Sequence, residues 1–212
     1  MGILEQISAS LQKGNDTHVA ELTRRAIEKK LPPKQILDDG LIGGMAVIGE
    51  RFKAHEIFLP QVLLAARAMY AGMDLLKPLM IRENIPTSGK VVIGSVQGDL
   101  HDIGKNLVAI MLKGAGFEVI DLGSDVTPEQ FVSAAEKEEA GAIGLSALLT
   151  TTMPVMKQVI DLLRERRLLS KIKVIIGGAP VTQKFADQIG ADAYAFDGVS
   201  AVERVKALIG RE

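Results

Sequence analysis

The sequence predicts a bundle of four helices followed by an α/β domain built on a parallel sheet of five strands. Three observations carry that prediction. From about Ile3 to Arg82 the apolar residues recur at helical spacing. Beyond the polar segment Asn84-Ile-Pro-Thr-Ser-Gly-Lys90, short β-branched runs alternate with helical stretches. Three of those runs end in loops of unusual composition. The change of period places a helical domain at 1–87 and an α/β domain at 88–212.

In the first domain Ile3, Leu4, Ile7 and Leu11 share one face of a short helix. A second helix spans roughly Asp16 to Lys29, with Asp16 or Thr17 suited to cap it. Pro33 can open a third at its first turn, which carries Ile36, Leu37, Leu41, Ile42, Met45, Val47 and Ile48. A fourth runs from about Pro60 to Ile81, and short connections favour an antiparallel bundle. In the second domain the strands are Val91–Val96, Glu118–Leu122, Ala142–Ser146, Lys173–Ile176 and Ala193–Phe196. Helices fit near 104–113, 128–139, 153–169, 181–189 and 200–209. Alternation of this kind gives a parallel sheet covered on both faces.

Composition excludes several function classes. Of 212 residues 47% are hydrophobic and 24% charged, and the formal net charge is −1, which favours neither nucleic acid nor an anionic membrane. Two Tyr, six Phe and no Trp leave little for base stacking. Cysteine is absent, so disulfides, thiolate nucleophiles, zinc–thiolate sites and iron–sulfur clusters are excluded. The amino terminus does not read as a signal peptide and no run approaches a membrane span, so a cytoplasmic location is expected.

The chemistry sits at the strand ends. Gly98-Asp-Leu-His-Asp-Ile-Gly104 follows the first strand, Leu145-Ser-Ala-Leu-Leu-Thr-Thr-Thr-Met153 the third, and Gly177-Gly-Ala-Pro-Val-Thr182 the fourth. Right-handed crossovers put all three on one edge of the sheet, where ligands bind in open α/β folds. His101 there is a metal ligand, a catalytic base or a structural hydrogen-bonding residue. The threonine run can equally cap the next helix, and Gly177-Gly178 can be turn punctuation. The first loop lacks the third glycine of a dinucleotide fingerprint, Lys105 lacks the spacing of a P-loop, and no Ser occupies a nucleophile elbow.

Taken jointly, Asp99-x-His101-x-x-Gly104, Ser146-x-Leu148-x-Thr150 and Gly177-Gly178 resemble the cobalamin-binding domain in order and spacing. The stretch Glu56-Ile-Phe-Leu-Pro-Gln-Val-Leu-Leu-Ala-Ala-Arg-Ala-Met69 resembles the cap segment that precedes this domain in cobalamin-dependent methyltransferases. Over essentially its whole length the chain is similar to the small corrinoid proteins of anaerobic methyltransferase systems, of methanol, methylamine or methoxy-aromatic type. These are relatives of the cobalamin module of methionine synthase. The fold this implies is an N-terminal four-helix bundle cap followed by a flavodoxin-like, Rossmann-type sheet.

The resemblance implies that cobalamin or a related corrinoid binds with its benzimidazole off the cobalt, and that His101 takes the vacated position. Asp99 would hold the other ring nitrogen, fixing the tautomer. Where methionine synthase relatives complete the relay with serine, this chain has Thr152, a departure that keeps the hydroxyl. Protonation of the relay would then follow the cobalt oxidation state. Gly98, Leu100, Asp102, Ile103 and Gly104 count with the cofactor-binding residues, the two glycines admitting the corrin edge and nucleotide tail. Gly177 and Gly178 would leave a groove for the benzimidazole. Ser146 and Thr150 would bond the tail, with Leu148 packed against it and Val199 closing the outer side. Phe58, with Ala65 and Met69, would shield the methyl-bearing face, bundle core being the alternative for each. His18 and His55 lie among charged residues and are expected to be exposed.

The function implied is that of a methyl carrier. Its cob(I)alamin would accept a methyl group through a substrate-specific corrinoid methyltransferase. A second methyltransferase would pass it to a thiol such as coenzyme M or to tetrahydrofolate, with a reductive activation protein as a further partner. The chain has neither a substrate-activating barrel nor a thiolate for zinc, so it is not expected to be catalytic alone, and residues 84–90 are the expected hinge. Three other readings compete. A cobalamin-binding subunit of an adenosylcobalamin mutase shares the first loop but does not call for the helical cap. A cobalamin sensor would need a DNA-binding module before the bundle, and the sequence begins directly with the bundle. In a flavodoxin-shaped domain without cobalamin, Asp99, His101 and Thr152 would be coincidental.

Overall fold

The computed structural model describes residues 1–83, 85 and 87–210; Asn84 and Pro86 of the expected hinge lie outside the described residues. The chain divides into two compact units, residues 1–86 with the short piece 114–116, and residues 87–113 with 117–212. No helix among the described residues is long and apolar enough to cross a membrane.

In the first unit α1 (Ile3–Gln12), α2 (Asp16–Glu28) and α5 (Leu59–Arg82) lie close to where apolar periodicity puts them. The cap of α2 is a correction: Asn15 Oδ1, not Asp16 or Thr17, accepts the His18 amide at 3.0 Å. Asp16 falls instead in the first turn, where a negative charge suits the helix dipole. The third helix is one rod in three segments, α3 (Pro33–Gln35), a π-helical stretch (Ile36–Ile42) and α4 (Gly43–Lys53). Ile36 and Gly43 at its junctions are right-handed helical, so the rod is unbroken. A π turn holds more residues than an α turn and shifts the face that later side chains occupy. Val47, which α-helical counting places with the core, is accordingly 40% exposed. His18 is exposed as expected, but not free: its Nδ1 lies 2.6 Å from Ser10 Oγ.

The second unit is a sheet of five parallel strands in the order β2-β1-β3-β4-β5, with β1 Lys90–Ser95, β2 Glu118–Asp121, β3 Ala142–Ser146, β4 Lys173–Gly177 and β5 Ala193–Ala195. The crossover helices are α6 (Ile103–Gly114), α7 (Pro128–Lys137), α8 (Pro154–Glu165), α9 (Gln183–Ile189) and α10 (Gly198–Ile209). Side-chain caps fix three of their starts: Thr127 for α7, Thr182 for α9 and Asp197 for α10. Val92, Ile143, Val174, Phe131, Met156 and Ile160 are fully buried in the core of this unit. The strand order reverses beside β1, and that reversal positions the site. β1 pairs with β3 in a register that sets Ser95 opposite Ser146, so the first and third loops leave the sheet side by side.

Thr23 on α2 breaks the usual rule for buried polar groups. It is fully buried, and its Oγ1 has no hydrogen-bond partner. A Cβ added at Gly72 of α5 would lie 3.2 Å from that oxygen, so the helices leave it no route to solvent. An unsatisfied buried hydroxyl costs about 1–3 kcal/mol. Thr23→Val should therefore raise stability by about 1 kcal/mol, read as a higher urea midpoint; a lower midpoint would contradict the assignment.

Candidate functional site

The site is built on a carboxylate with no exposed surface. β1 gives way after Ser95 to the loop that leads into α6, and Asp99 at its turn points inward, 0% exposed. Its Oδ1 accepts the amide of His101 at 3.1 Å and the ring Nδ1–H of His101 at 2.8 Å. Its Oδ2 accepts the amides of Leu148 at 2.7 Å and Leu149 at 3.2 Å, and the Thr152 hydroxyl at 2.8 Å. Thr152 also lies 2.9 Å from the Leu149 carbonyl, but its single proton favours the charged acceptor. The threonine run therefore does not cap α8, whose start has no side-chain cap. Burial alone would raise the pKa of Asp99. The bonds from the Leu148 amide, the His101 ring, the Thr152 hydroxyl and the His101 amide outweigh it and hold the carboxyl well below the usual range.

His101 is the outward half of this pair. Its side chain is 52% exposed and Nδ1 is committed to Asp99. An ionised acceptor at Nδ1 selects the tautomer whose Nε2 carries a free lone pair. Around it the backbone is braced by residues that sequence reasoning missed. The buried Ser95 hydroxyl donates to the His101 carbonyl at 2.6 Å. Asp125, in the loop between β2 and α7, accepts the Gly98 amide at 2.7 Å and donates its own amide to the Asp99 carbonyl at 3.1 Å. Lys105 is 3% exposed, with Nζ 2.6 Å from both Asp121 oxygens and from Asn106 Oδ1. Asn106 in turn donates to Asp102 Oδ2 at 3.0 Å. The one cue available in the sequence was Lys105 itself, a cation on the amphipathic helix beside the histidine loop.

Other expected site residues divide into three groups. Leu100 and Ile103, at 74% and 75% exposed, flank His101 with bare apolar surface, and Asp102, Gly98, Gly104, Leu148 and Thr150 are also exposed. Ser146 is half-buried at the end of β3. In the turn from Phe196 to Ser200, Val199 is 6% exposed at the start of α10 and Phe196 is 71% exposed. In the helical unit Phe58 is 64% exposed, whereas Ala65 and Met69 are 0% and 1% exposed and offer no surface to a ligand, the packing of core residues.

The glycines need different explanations. A Cβ at Gly178, where φ is +125°, would lie 1.9 Å from the Ala147 carbonyl oxygen, and one at Gly177 would lie 2.9 Å from that of Ala195. Close backbone approach between neighbouring strand ends demands glycine at both, whatever binds nearby. Gly104 is the opposite case: nothing lies within 4 Å of a Cβ there.

This donor set fits one kind of metal. Among the described residues no cluster of three or more His, Cys, Asp or Glu side chains could hold an ion. A single imidazole with a free Nε2 suits a metal already ligated by a macrocycle, as axial histidines do. Asp99 itself is open to a direct test. Asp99→Asn places amide protons against donors and should cost about 2 kcal/mol at pH 7. Because the folded pKa is depressed, the contribution is complete above the unfolded carboxylate value of about 3.9 and is lost as pH falls through the folded value. Urea unfolding should show a constant gap between parent and variant from pH 7 to about 5, narrowing below about 4; a gap that widens in acid would contradict it.

Comparison with known proteins agrees with this geometry. Residues 89–206 match the B12 binding domain family, and residues 3–77 match a second family of the same description. A corrinoid protein of Desulfitobacterium hafniense is 40% identical over 100% of this chain and 99% of its own length. Dimethylamine corrinoid protein 1 of Methanosarcina acetivorans is 48% identical over 87% of this chain and 88% of its own. Among solved structures, the methanol:cobalamin methyltransferase complex of Methanosarcina barkeri superposes with a TM-score of 0.87 at 35% identity, covering 98% of this chain and 79% of that one. A buried carboxylate that aims one imidazole from the edge of a parallel sheet, and family matches over both units, place the chain in the family of B12-binding corrinoid proteins.

Proposed function

We propose that this chain is a methyl carrier that holds its corrinoid with His101 as the protein ligand to cobalt, the cofactor's own base displaced. The observation that carries this reading is the His101 ring, pinned through Nδ1 to a buried anion with Nε2 left free at the ligand-binding edge of the sheet. When bound, the corrinoid supplies a cobalt centre able to take up and give up a methyl group. The chain's own residues set the terms. Asp99 fixes the tautomer and raises the electron density at Nε2. The exposed side chains of Leu100 and Ile103, neighbours of His101 in the loop, offer apolar surface to a corrin, and the space at Gly104 admits a cofactor edge. Ser146 and Thr150 are assigned to hydrogen bonds with the nucleotide tail, and Leu148 to packing against it.

Partners follow from what the chain lacks and from what its relatives are called. With no cysteine, it has no thiolate for zinc, so activation of donor and acceptor falls to separate methyltransferases. A solved relative is part of a methanol:cobalamin methyltransferase complex, and close relatives are dimethylamine corrinoid proteins. We assign the donor to that class of methylated small molecules and the acceptor to a thiol such as coenzyme M or to tetrahydrofolate, with a reductive activation protein restoring reduced cobalt.

The test is reconstitution with hydroxocobalamin followed by electron paramagnetic resonance of the cob(II) state. Nitrogen splitting from a protein ligand is expected, recognised because labelling the protein's histidines with nitrogen-15 alters it, and that label-sensitive splitting should vanish in His101→Ala. A parent chain without that splitting would overturn the His101 assignment. The two glycine classes give a second check. Gly104→Leu should leave the apo fold unchanged and weaken corrinoid binding at least roughly tenfold. Gly178→Ala should fail at folding, with or without corrinoid, because its Cβ would collide with backbone.

A further inference from the structure

We infer that Asp125 is a positioning residue for His101, clamping the Gly98–Asp99 segment from both ends so that the Asp99 carboxylate aims the imidazole; this rests on the reading of His101 as cobalt ligand. Asp125 is distant in sequence and belongs to a different loop. It bonds the histidine loop twice, through Oδ1 to the Gly98 amide at 2.7 Å and through its own amide to the Asp99 carbonyl at 3.1 Å. Those two groups bracket the backbone torsions of Gly98 and Asp99.

The segment needs such a restraint. Gly98 has φ +83° and no side chain, so only the turn bond from the Asp99 amide to the Val96 carbonyl at 2.9 Å and the bonds to Asp125 hold it between β1 and the carboxylate. Asp99 Oδ2 holds the Leu148 amide, the Leu149 amide and the Thr152 hydroxyl, so a small swing about Gly98 disturbs all of them together with the His101 bond. The clamp is itself anchored. The Ser95 amide donates to the Gly123 carbonyl at 2.9 Å, the Val126 amide donates to the Ser95 carbonyl at 3.0 Å, and Val96 bridges Val126. Asp125 is thus fixed by its neighbours on either side, independently of the residue it holds.

The backbone of Asp125 points the same way. Its φ is +57°, a left-handed conformation in which glycine is least strained and aspartate is tolerated. A turn needing only that conformation is served at least as well by glycine. Aspartate keeps the conformation and adds the acceptor for Gly98.

That difference supplies the experiment, on the full chain. Asp125→Gly keeps the backbone and deletes the acceptor; Asp125→Asn keeps an acceptor and a residue that tolerates the conformation. In the apo protein the ring Nδ1–H of His101 is followed by nitrogen-15 NMR. Its exchange with solvent should quicken roughly tenfold in Asp125→Gly and stay near parental in Asp125→Asn. After reconstitution, the ratio of histidine-bound to histidine-free cob(II) should fall roughly tenfold in Asp125→Gly, with Asn restoring it. In a His101→Ala background Asp125→Gly should change the cob(II) spectrum no further. A parental exchange rate, or a parental cob(II) ratio, in Asp125→Gly overturns the inference. If the parent itself shows no nitrogen splitting, it is the cobalt reading that fails, and the apo exchange rate then decides the clamp alone.

Discussion

A carboxylate cut off from water must draw its hydrogen bonds from the protein, and at Asp99 that requirement organises the α/β unit. A buried ion without partners would be too costly to keep charged. Asp99 meets the cost with donors from two loops: its own, through the His101 amide and ring, and the one after β3, through Leu148, Leu149 and Thr152. Those loops meet because β1 and β3 are neighbours in register at Ser95 and Ser146. Sheet order, loop pairing and ring orientation are therefore one constraint seen at three scales.

Much of this was legible in the chain because its signals are local. Short apolar runs alternating with helical stretches located every strand to within two residues, and helical periodicity located the four rods of the first unit. Asp99 and His101 stood out by type and spacing, Thr152 came only from the family resemblance, and the structure brings the three side chains together. What escaped was non-local or non-standard. The π-helical stretch within the third rod moved Val47 to the surface, a change no α-helical count registers. Lys105 pairs with Asp121 at the end of β2 and Asp125 with the Gly98 amide in another loop, so neither long-range pairing is announced by the residues near it in sequence.

The glycines show how one residue type can answer to different constraints. Gly177-Gly178 marked the end of β4 as unusual, and the groove for a ligand seemed its natural purpose. The backbone of the adjacent strands is sufficient cause, because a side chain at Gly178 would occupy the space of the Ala147 carbonyl. Gly104, one of several glycines in the pattern, is the one whose missing side chain the protein does not itself use.

Thr152 fits the same logic. A β-branched side chain has few staggered positions and gives up little freedom when held in one. Here its hydroxyl is spent on Asp99, and its methyl would lie 3.3 Å from a Cβ added at Gly98. A serine in this place would lack the methyl and could turn freely. Threonine thus closes over Gly98 from one side as Asp125 ties it from the other, and the direction of the imidazole is set before any ligand reaches Nε2.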